Sequence, residues 1–149
     1  MNDTFLISKM QESDIDELVK IDKICFSSPW SYNSFKAELE NKNSYFIVYK
    51  YNNKAIGYAG LYKILDETYI SNIALLPDYR KKGIGRKLLV SLINYAQNNR
   101  ASFISLEVRK SNYIAINLYK SEGFVLNGIR KNFYSSPKED GLIMTKYFI

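Results

Sequence analysis

The chain has 149 residues, 46% of them hydrophobic and 15% aromatic, with 13 tyrosines. This composition predicts one packed domain with a single core and argues against disorder. The formal net charge is +6, there is no histidine, and Cys25 is the only cysteine. Ser–His and Cys–His catalysis, histidine metal sites and an internal disulfide are thereby excluded, while the charge favours an anionic ligand or partner.

Asp3, Glu12, Asp14, Asp16 and Glu17 fall within the first twenty residues, with no long apolar run, so no secretory leader is expected. No segment approaches the roughly 18 consecutive apolar residues of a membrane span. A cytoplasmic protein without a membrane partner is the expectation.

In chain order, TFLISKM (4–10) predicts a first strand. Ser13 or Asp14 then suits a helix N-cap, with Glu17 completing a capping box from Asp14. Ile15, Leu18, Val19, Cys25 and Phe26 give an apolar helical face, which makes Cys25 core filler, and Pro29 ends the pattern. Ser31 suits the cap of a second helix carrying Phe35 and Leu39. SYFIVYK (44–50) predicts a strand, Asn52-Asn53 a hairpin turn and 54–65 the returning strand. Gly57 and Gly60 in that strand mark a bulge or a close contact. ETYISNIAL (67–75) is a further strand.

A helix over 84–98 follows from Leu88, Leu89, Leu92, Ile93 and Ala96, closed by Asn98-Asn99 as a left-handed cap. SFISLEVR (102–109) predicts a strand and 113–121 a helix, ended by Gly123. Strands over 124–134 and roughly 141–148 complete the chain. Between them SSPKEDG (135–141) is a polar loop long enough to be mobile. The order is βααβββαβαββ, an α/β (α+β) class. The strand–helix–strand unit 67–109 requires parallel strands, and the hairpins require antiparallel ones, so the sheet is mixed.

PDYRKKGIGRKLL (77–89) lies between strand 67–75 and helix 84–98. A turn into a helix exposes unpaired N–H groups whose dipoles converge on an anion. Gly83 and Gly85 clear side chains from that spot, and Arg80, Lys81, Lys82 and Arg86 add charge. A diphosphate is the natural guest. The glycines are too close for a P-loop, and Leu88 replaces the third glycine of a dinucleotide fingerprint. A basic surface turn without a ligand is the plain alternative. Glu107 interrupts an apolar strand between Leu106 and Val108, which places it either on a solvated face or in a functional position.

Arg80-Lys81-Lys82-Gly83-Ile84-Gly85 resembles the (Q/R)-x-x-G-x-(G/A) signature of the GNAT N-acetyltransferases. NIALLPDYR before it and LEVRKSNYIAINLYKSEGF after it resemble the same family, through Asn112, Ala115, Leu118, Tyr119, Gly123 and Phe124. LEVR, Pro29-Trp30-Ser31 and IRKNFY (129–134) are most similar to the RimI-type enzymes that acetylate ribosomal-protein N-termini. The resemblance covers nearly the whole chain.

The resemblance implies a GNAT fold of about seven strands and about four helices in a single domain, 1–149. Strands 67–75 and 102–109 would be parallel and splayed, with acetyl-CoA in the gap. The backbone of Ile73, Ala74 and Leu75 would pair with the pantetheine arm. Arg80, Lys81, Lys82, Gly83, Ile84, Gly85 and Arg86 would wrap the diphosphate, and Asn112 would bond the cosubstrate. Glu107 would be the base and Tyr119 the acid. No metal is called for. The implied acceptor is the N-terminal alanine of a small-subunit ribosomal protein, without direct need of nucleic acid. Trp30, Tyr32, Tyr134 and the 135–141 loop would frame the peptide entrance, although each aromatic equally suits a surface or core role. Two other readings remain: transfer to a small amine or lysine side chain, and a non-catalytic CoA-binding or RNA-contacting module.

Overall fold

The structure is a computed structural model that describes residues 3–148. Seven strands form one mixed sheet in the order β1-β2-β3-β4-β5-β7-β6. They are β1 (Phe5–Lys9), β2 (Ser44–Tyr51), β3 (Lys54–Ile64), β4 (Glu67–Leu75), β5 (Phe103–Arg109), β6 (Val125–Tyr134) and β7 (Glu139–Tyr147). Four helices accompany them: α1 (Ile15–Cys25), α2 (Tyr32–Glu40), α3 (Ile84–Asn98) and α4 (Tyr113–Ser121). Short 3-10 turns occupy Glu12–Asp14 and Pro77–Tyr79. The predicted order, the mixed sheet and the parallel β4–β5 pair are all present.

The chain divides into two compact units. One holds the chain up to Tyr62 together with Ser71–Leu92, the other Lys63–Ile70 together with the chain from Ile93 on.

In the first unit β1, β2 and β3 form an antiparallel meander. Asn52 and Asn53 turn the β2–β3 hairpin at φ 48° and 68°, a conformation asparagine tolerates. Gly57 faces a register shift at Tyr49/Lys50, and a Cβ there would lie 2.8 Å from the Ala74 carbonyl oxygen, so bulge and close contact coincide. Met10, Ile15, Leu18, Ile21, Phe35 and Phe46 cluster in the core, with Cys25 and Leu39 packed at its margin.

Asp14 is the N-cap of α1, as expected, but its capping box with Glu17 does not form. The Asp14 side chain accepts from the Gln11 N–H at 2.8 Å, closing a capping box one turn earlier, around Glu12–Asp14. Glu17 instead accepts from the Ala55 N–H at 3.0 Å, and Asp14 pairs with Lys50 at 2.7 Å. For Glu17 a partner distant in sequence outcompetes the local one, while Asp14 keeps its local bond through one oxygen and takes Lys50 on the other. Ser31 caps α2 as expected, accepting from Ser34 N–H.

In the second unit β4 and β5 pair at Glu67↔Phe103, Thr68↔Ile104 and Tyr69↔Ser105, whereas β4 from Ser71 on belongs to the first unit. β7 lies antiparallel between β5 and β6. The C-terminus of α3 corrects the asparagine cap. Arg100, at φ 61°, takes the left-handed position. Arg100 N–H donates to Gln97 C=O, and Ala101 N–H to Ala96 C=O, the paired bonds of a Schellman motif. Asn99 instead caps through its side chain, donating Nδ2 to Tyr95 C=O at 2.8 Å.

The 135–141 loop is also shorter than expected, because β7 begins at Glu139 and leaves a four-residue turn. Arg109 fastens it, donating to Pro137 C=O at 2.9 Å and Ser135 C=O at 3.0 Å and pairing with Glu139 at 3.3 Å.

Candidate active site

In the first unit the β4–α3 turn has the form its sequence predicts. Lys81 and Gly83 take positive φ, 63° and 82°. The first helical bond of α3 runs from Lys87 N–H to Gly83 C=O, so the N–H groups of Ile84 and Gly85 precede the helical ladder. A Cβ on Gly83 would meet nothing within 4 Å, so the space over the turn is open. Lys81, Lys82 and Arg86 are exposed on the same turn. Lys82 Nζ lies 5.9 Å above the Tyr79 ring.

Arg80 is committed elsewhere. Its Nε donates to Leu75 C=O at 2.9 Å, and Nη2 lies 3.5 Å from Cys25 Sγ. It therefore ties the turn to the end of β4. Ala74 and Leu75 are buried and Ile73 is half-buried, so these side chains serve the core.

Behind this strand lies a buried polar network. Asp22 is fully buried; it accepts from Trp30 N–H at 2.9 Å and from the Tyr58 hydroxyl, and Asn72 Nδ2 donates to the same hydroxyl at 2.7 Å. Burial pushes the Asp22 carboxyl above its ordinary range, against the two hydrogen bonds. Trp30 lies 5.3 Å from the Phe35 ring and 5.9 Å from Phe46, at the margin of the core. Tyr32 is exposed at the start of α2 and hydrogen-bonds Glu12.

In the second unit strand register assembles a different array. Side chains alternate faces along a strand, and directly opposed residues share one. Glu107 on β5 opposes Ile143 on β7, which opposes Gly128 on β6; the next row is Arg109, Gly141, Arg130. Beyond it Glu139 opposes Tyr134. One face of β5-β7-β6 thus carries Glu107, Arg109, Arg130, Glu139 and Tyr134, with bare positions at Gly128 and Gly141. Leu106 and Val108 occupy the other face of β5 and are buried.

Glu107 is therefore on neither a plain solvated face nor a plain core face. Oε1 meets Arg130 Nε at 3.3 Å, and Oε2 is buried with no hydrogen-bond partner among the described residues. Such an acceptor is costly unless something donates to it during function. Tyr134 stands beside it. Burial raises the Tyr134 phenol first and the Glu107 charge raises it further, while Arg109, 4.6 Å from the ring centre, pulls it down. Burial pushes the Tyr119 phenol up to about 12, with Tyr134 adding to the shift, so Glu107, Tyr134 and Tyr119 form one electrostatic neighbourhood.

Asn112 is the N-cap of α4, its Oδ1 accepting from Ala115 N–H at 3.3 Å. That leaves its Nδ2 as the donor it can offer a ligand. Arg109 and Arg130 are the additions to the predicted set. The signal for Arg109 was its place two residues after Glu107, on the same face of a strand. Arg130 lies inside the quoted IRKNFY stretch, and only the register across Gly141 brings it to Glu107.

A match to the family described as "Acetyltransferase (GNAT) family" covers residues 15–124. The chain belongs to the GNAT acetyltransferase family. It is an N-acetyltransferase, as the Arg80–Gly85 signature and its flanking segments implied. A Bacillus subtilis relative, named "Putative ribosomal protein bS18-alanine N-acetyltransferase", is 39% identical over 93% of this chain and 92% of its own. The Escherichia coli K12 ribosomal protein bS18-alanine N-acetyltransferase is 35% identical over 93% of this chain and 94% of its own. The crystal structure of the Escherichia coli ribosomal-protein-S18-alanine N-acetyltransferase superposes with TM-score 0.89 at 33% identity, covering 97% of this chain and 94% of that one. These relatives make the chain RimI-type, and its sheet and helices follow the GNAT fold. A GNAT acetyltransferase from Elizabethkingia anophelis with acetyl-CoA bound has TM-score 0.76 at 25% identity, covering 97% of this chain and 98% of that one.

No helix is long and apolar enough to cross a membrane, among the described residues. Nor, among those residues, does any group of three or more Cys, Asp or Glu side chains converge as a metal site.

Proposed function

We propose that the chain transfers an acetyl group from acetyl-CoA to the α-amine of a protein N-terminus, the alanine of a small-subunit ribosomal protein. The two units then work as one catalytic domain, and a ribosomal acceptor places it in the cytoplasm. The names of relatives similar over 93% of the chain support the acceptor. The observation that carries the chemistry is Glu107, with one oxygen held by Arg130 and the other buried and bare.

A peptide α-amine has a reference pKa of about 7.7–8.0, so near neutrality most of it is protonated and cannot attack. Glu107 accepts that proton, directly or through a water. Acetyl-CoA supplies an acyl group already activated as a thioester. The open turn at Gly83–Gly85 suits its diphosphate, with Lys81, Lys82 and Arg86 around it and Arg80 fixing the turn. The β4 backbone at Ile73–Leu75 aligns the pantetheine arm, and Asn112 Nδ2 offers a further donor. The Leu75 N–H donates to the oxygen that gains charge during attack.

Tyr119 donates a hydrogen bond to the departing sulfur. Full proton transfer from a phenol at about 12 to a thiolate whose reference pKa is about 8.5 is uphill by roughly 5 kcal/mol. Its weight in catalysis is therefore smaller than that of Glu107. Tyr134 lines the acceptor side. Trp30 acts through the core beneath the Pro29–Ser31 segment, and Tyr32 lies exposed just after it.

The test follows thiol release from acetyl-CoA with an Ala-starting peptide of the ribosomal acceptor, the same peptide N-terminally blocked, spermidine, and no acceptor. Release with the free peptide alone is expected. Release with spermidine alone rejects the protein acceptor in favour of a small amine. CoA binding without release under any condition rejects catalysis. Intact masses of ribosomal proteins from a deletion strain identify the acceptor in the cell.

A further inference from the structure

β6 is an edge strand, and Arg130 on it is more than half exposed. An arginine there has no packing reason to leave water, and exposed ion pairs add little to stability. Arg130 nevertheless crosses β7 to reach β5, a span of two strand spacings or roughly 9–10 Å. Gly141 makes the crossing possible. It is the β7 residue directly opposite Arg130, and it presents no side chain on that face. Its would-be Cβ position lies 3.3 Å from Phe133 and from Tyr134, so a side chain there would crowd both.

The chain also shapes β6 at this point. Arg130 opposes Gly141 and Tyr134 opposes Glu139, so two surplus residues bulge between them, secured by Asn132 N–H donating to Asp140 Oδ1 at 2.9 Å. Bulges commonly re-aim side chains beside active sites. Here the bulge brings the Phe133 ring to 5.4 Å from the Arg130 guanidinium, a cation–π contact that limits how the guanidinium swings.

We infer that Arg130 is a positioning residue for Glu107: reaching over Gly141, it pairs with Oε1 and thereby fixes the orientation of the carboxylate that serves as base. The inference rests on reading Glu107 as the base. Without Arg130 both carboxylate oxygens lack a fixed partner, and the side chain turns to find donors. The base remains present but loses its aim.

Arg130→Met and Arg130→Lys, each made in the native chain and in Glu107→Gln, test this. The readouts are kcat and KM for the peptide, and calorimetric affinity for acetyl-CoA. Displacement of a reacting group by a fraction of an ångström to an ångström costs of order ten- to a hundredfold, so Arg130→Met lowers kcat by about tenfold or more. Peptide KM and acetyl-CoA affinity stay level, and Arg130→Lys recovers part of the loss. In the Glu107→Gln background Arg130→Met changes the residual rate by less than about twofold, because the two residues act as a unit. An equal loss in both backgrounds, or a change confined to KM, overturns the inference.

Should the residual rate of Glu107→Gln be too low to follow, added guanidinium ion decides the matter on Arg130→Ala: recovery of kcat is expected, and no recovery overturns the inference. Thermal melts of each variant confirm folding, which a half-exposed edge position tolerates. Full activity of Glu107→Gln by itself overturns the base reading, a result separate from any behaviour of Arg130.

Discussion

At the β4–α3 turn the useful groups are main-chain N–H donors, and the side chains there serve by their absence or by charge. On the β5-β7-β6 face the useful groups are side chains, and the backbone is spent on the ladder. The first arrangement needs only local sequence: two glycines, a helix start and nearby cations. The second draws on Glu107, Arg130 and Tyr134, which span 27 positions and meet only through strand register. A main-chain site tolerates many side-chain changes but few changes of backbone shape. A side-chain site behaves the other way round.

Glu107→Gln breaks the second region most directly. The substitution keeps the size and the contact with Arg130 but removes the basic carboxylate. General-base help is typically worth 10²–10⁴ in rate, so kcat falls by roughly that factor. Acetyl-CoA affinity by calorimetry stays unchanged. A rate preserved between pH 6 and 9 would falsify the role of Glu107.

Gly85→Glu is the matching insult to the first region. It puts bulk and a negative charge in the first turn of α3, where the N–H groups favour anions. Acetyl-CoA binding drops below detection in the same calorimeter, while circular dichroism reports a folded chain. If binding survives, the diphosphate is held elsewhere and the comparison between the two regions fails.

Tyr119→Phe has a smaller effect. With the phenol pushed to about 12 by burial, it stays protonated through the working range and acts only as a donor. Single-turnover release of CoA slows by about tenfold, comparable to losing one hydrogen bond to a charged group. The activity profile shows no alkaline limb from Tyr119 below about pH 12. A loss as large as that of Glu107→Gln would promote Tyr119 to an equal partner.

The same contrast governs what the sequence made legible. β4 and α3 appear with the predicted bounds, 67–75 and 84–98, because their apolar periods and the intervening glycines are local signals. The N-cap at Asp14 read correctly, but the capping box did not, since Glu17 answers to Ala55, 38 positions away, and Asp14 turns to Gln11 and Lys50. The end of α3 misled for another reason. Asparagine is the better left-handed residue, yet Asn99 spends its amide on Tyr95 and Arg100 takes the strained position. The 135–141 segment looked free because nothing local shows that Arg109 reaches its carbonyls. Glu107 was legible as an anomaly, but its bare oxygen and its guanidinium partner are products of register.

Gly83 sharpens the comparison at its lowest energy, because it separates shape from space. Its φ of 82° disfavours any side chain, yet a Cβ there would touch nothing within 4 Å. Gly83→Ala therefore carries a conformational cost of about 1–2 kcal/mol without a clash. Asparagine visits this region more readily, so Gly83→Asn costs less than Gly83→Ala. Denaturant titration should rank the three as glycine most stable, asparagine next and alanine last. If acetyl-CoA affinity follows the same rank, the turn binds through its backbone shape. If alanine and asparagine lose affinity equally whatever their stability, the open space over Gly83 is itself occupied by the ligand, and the diphosphate lies directly against that α-carbon.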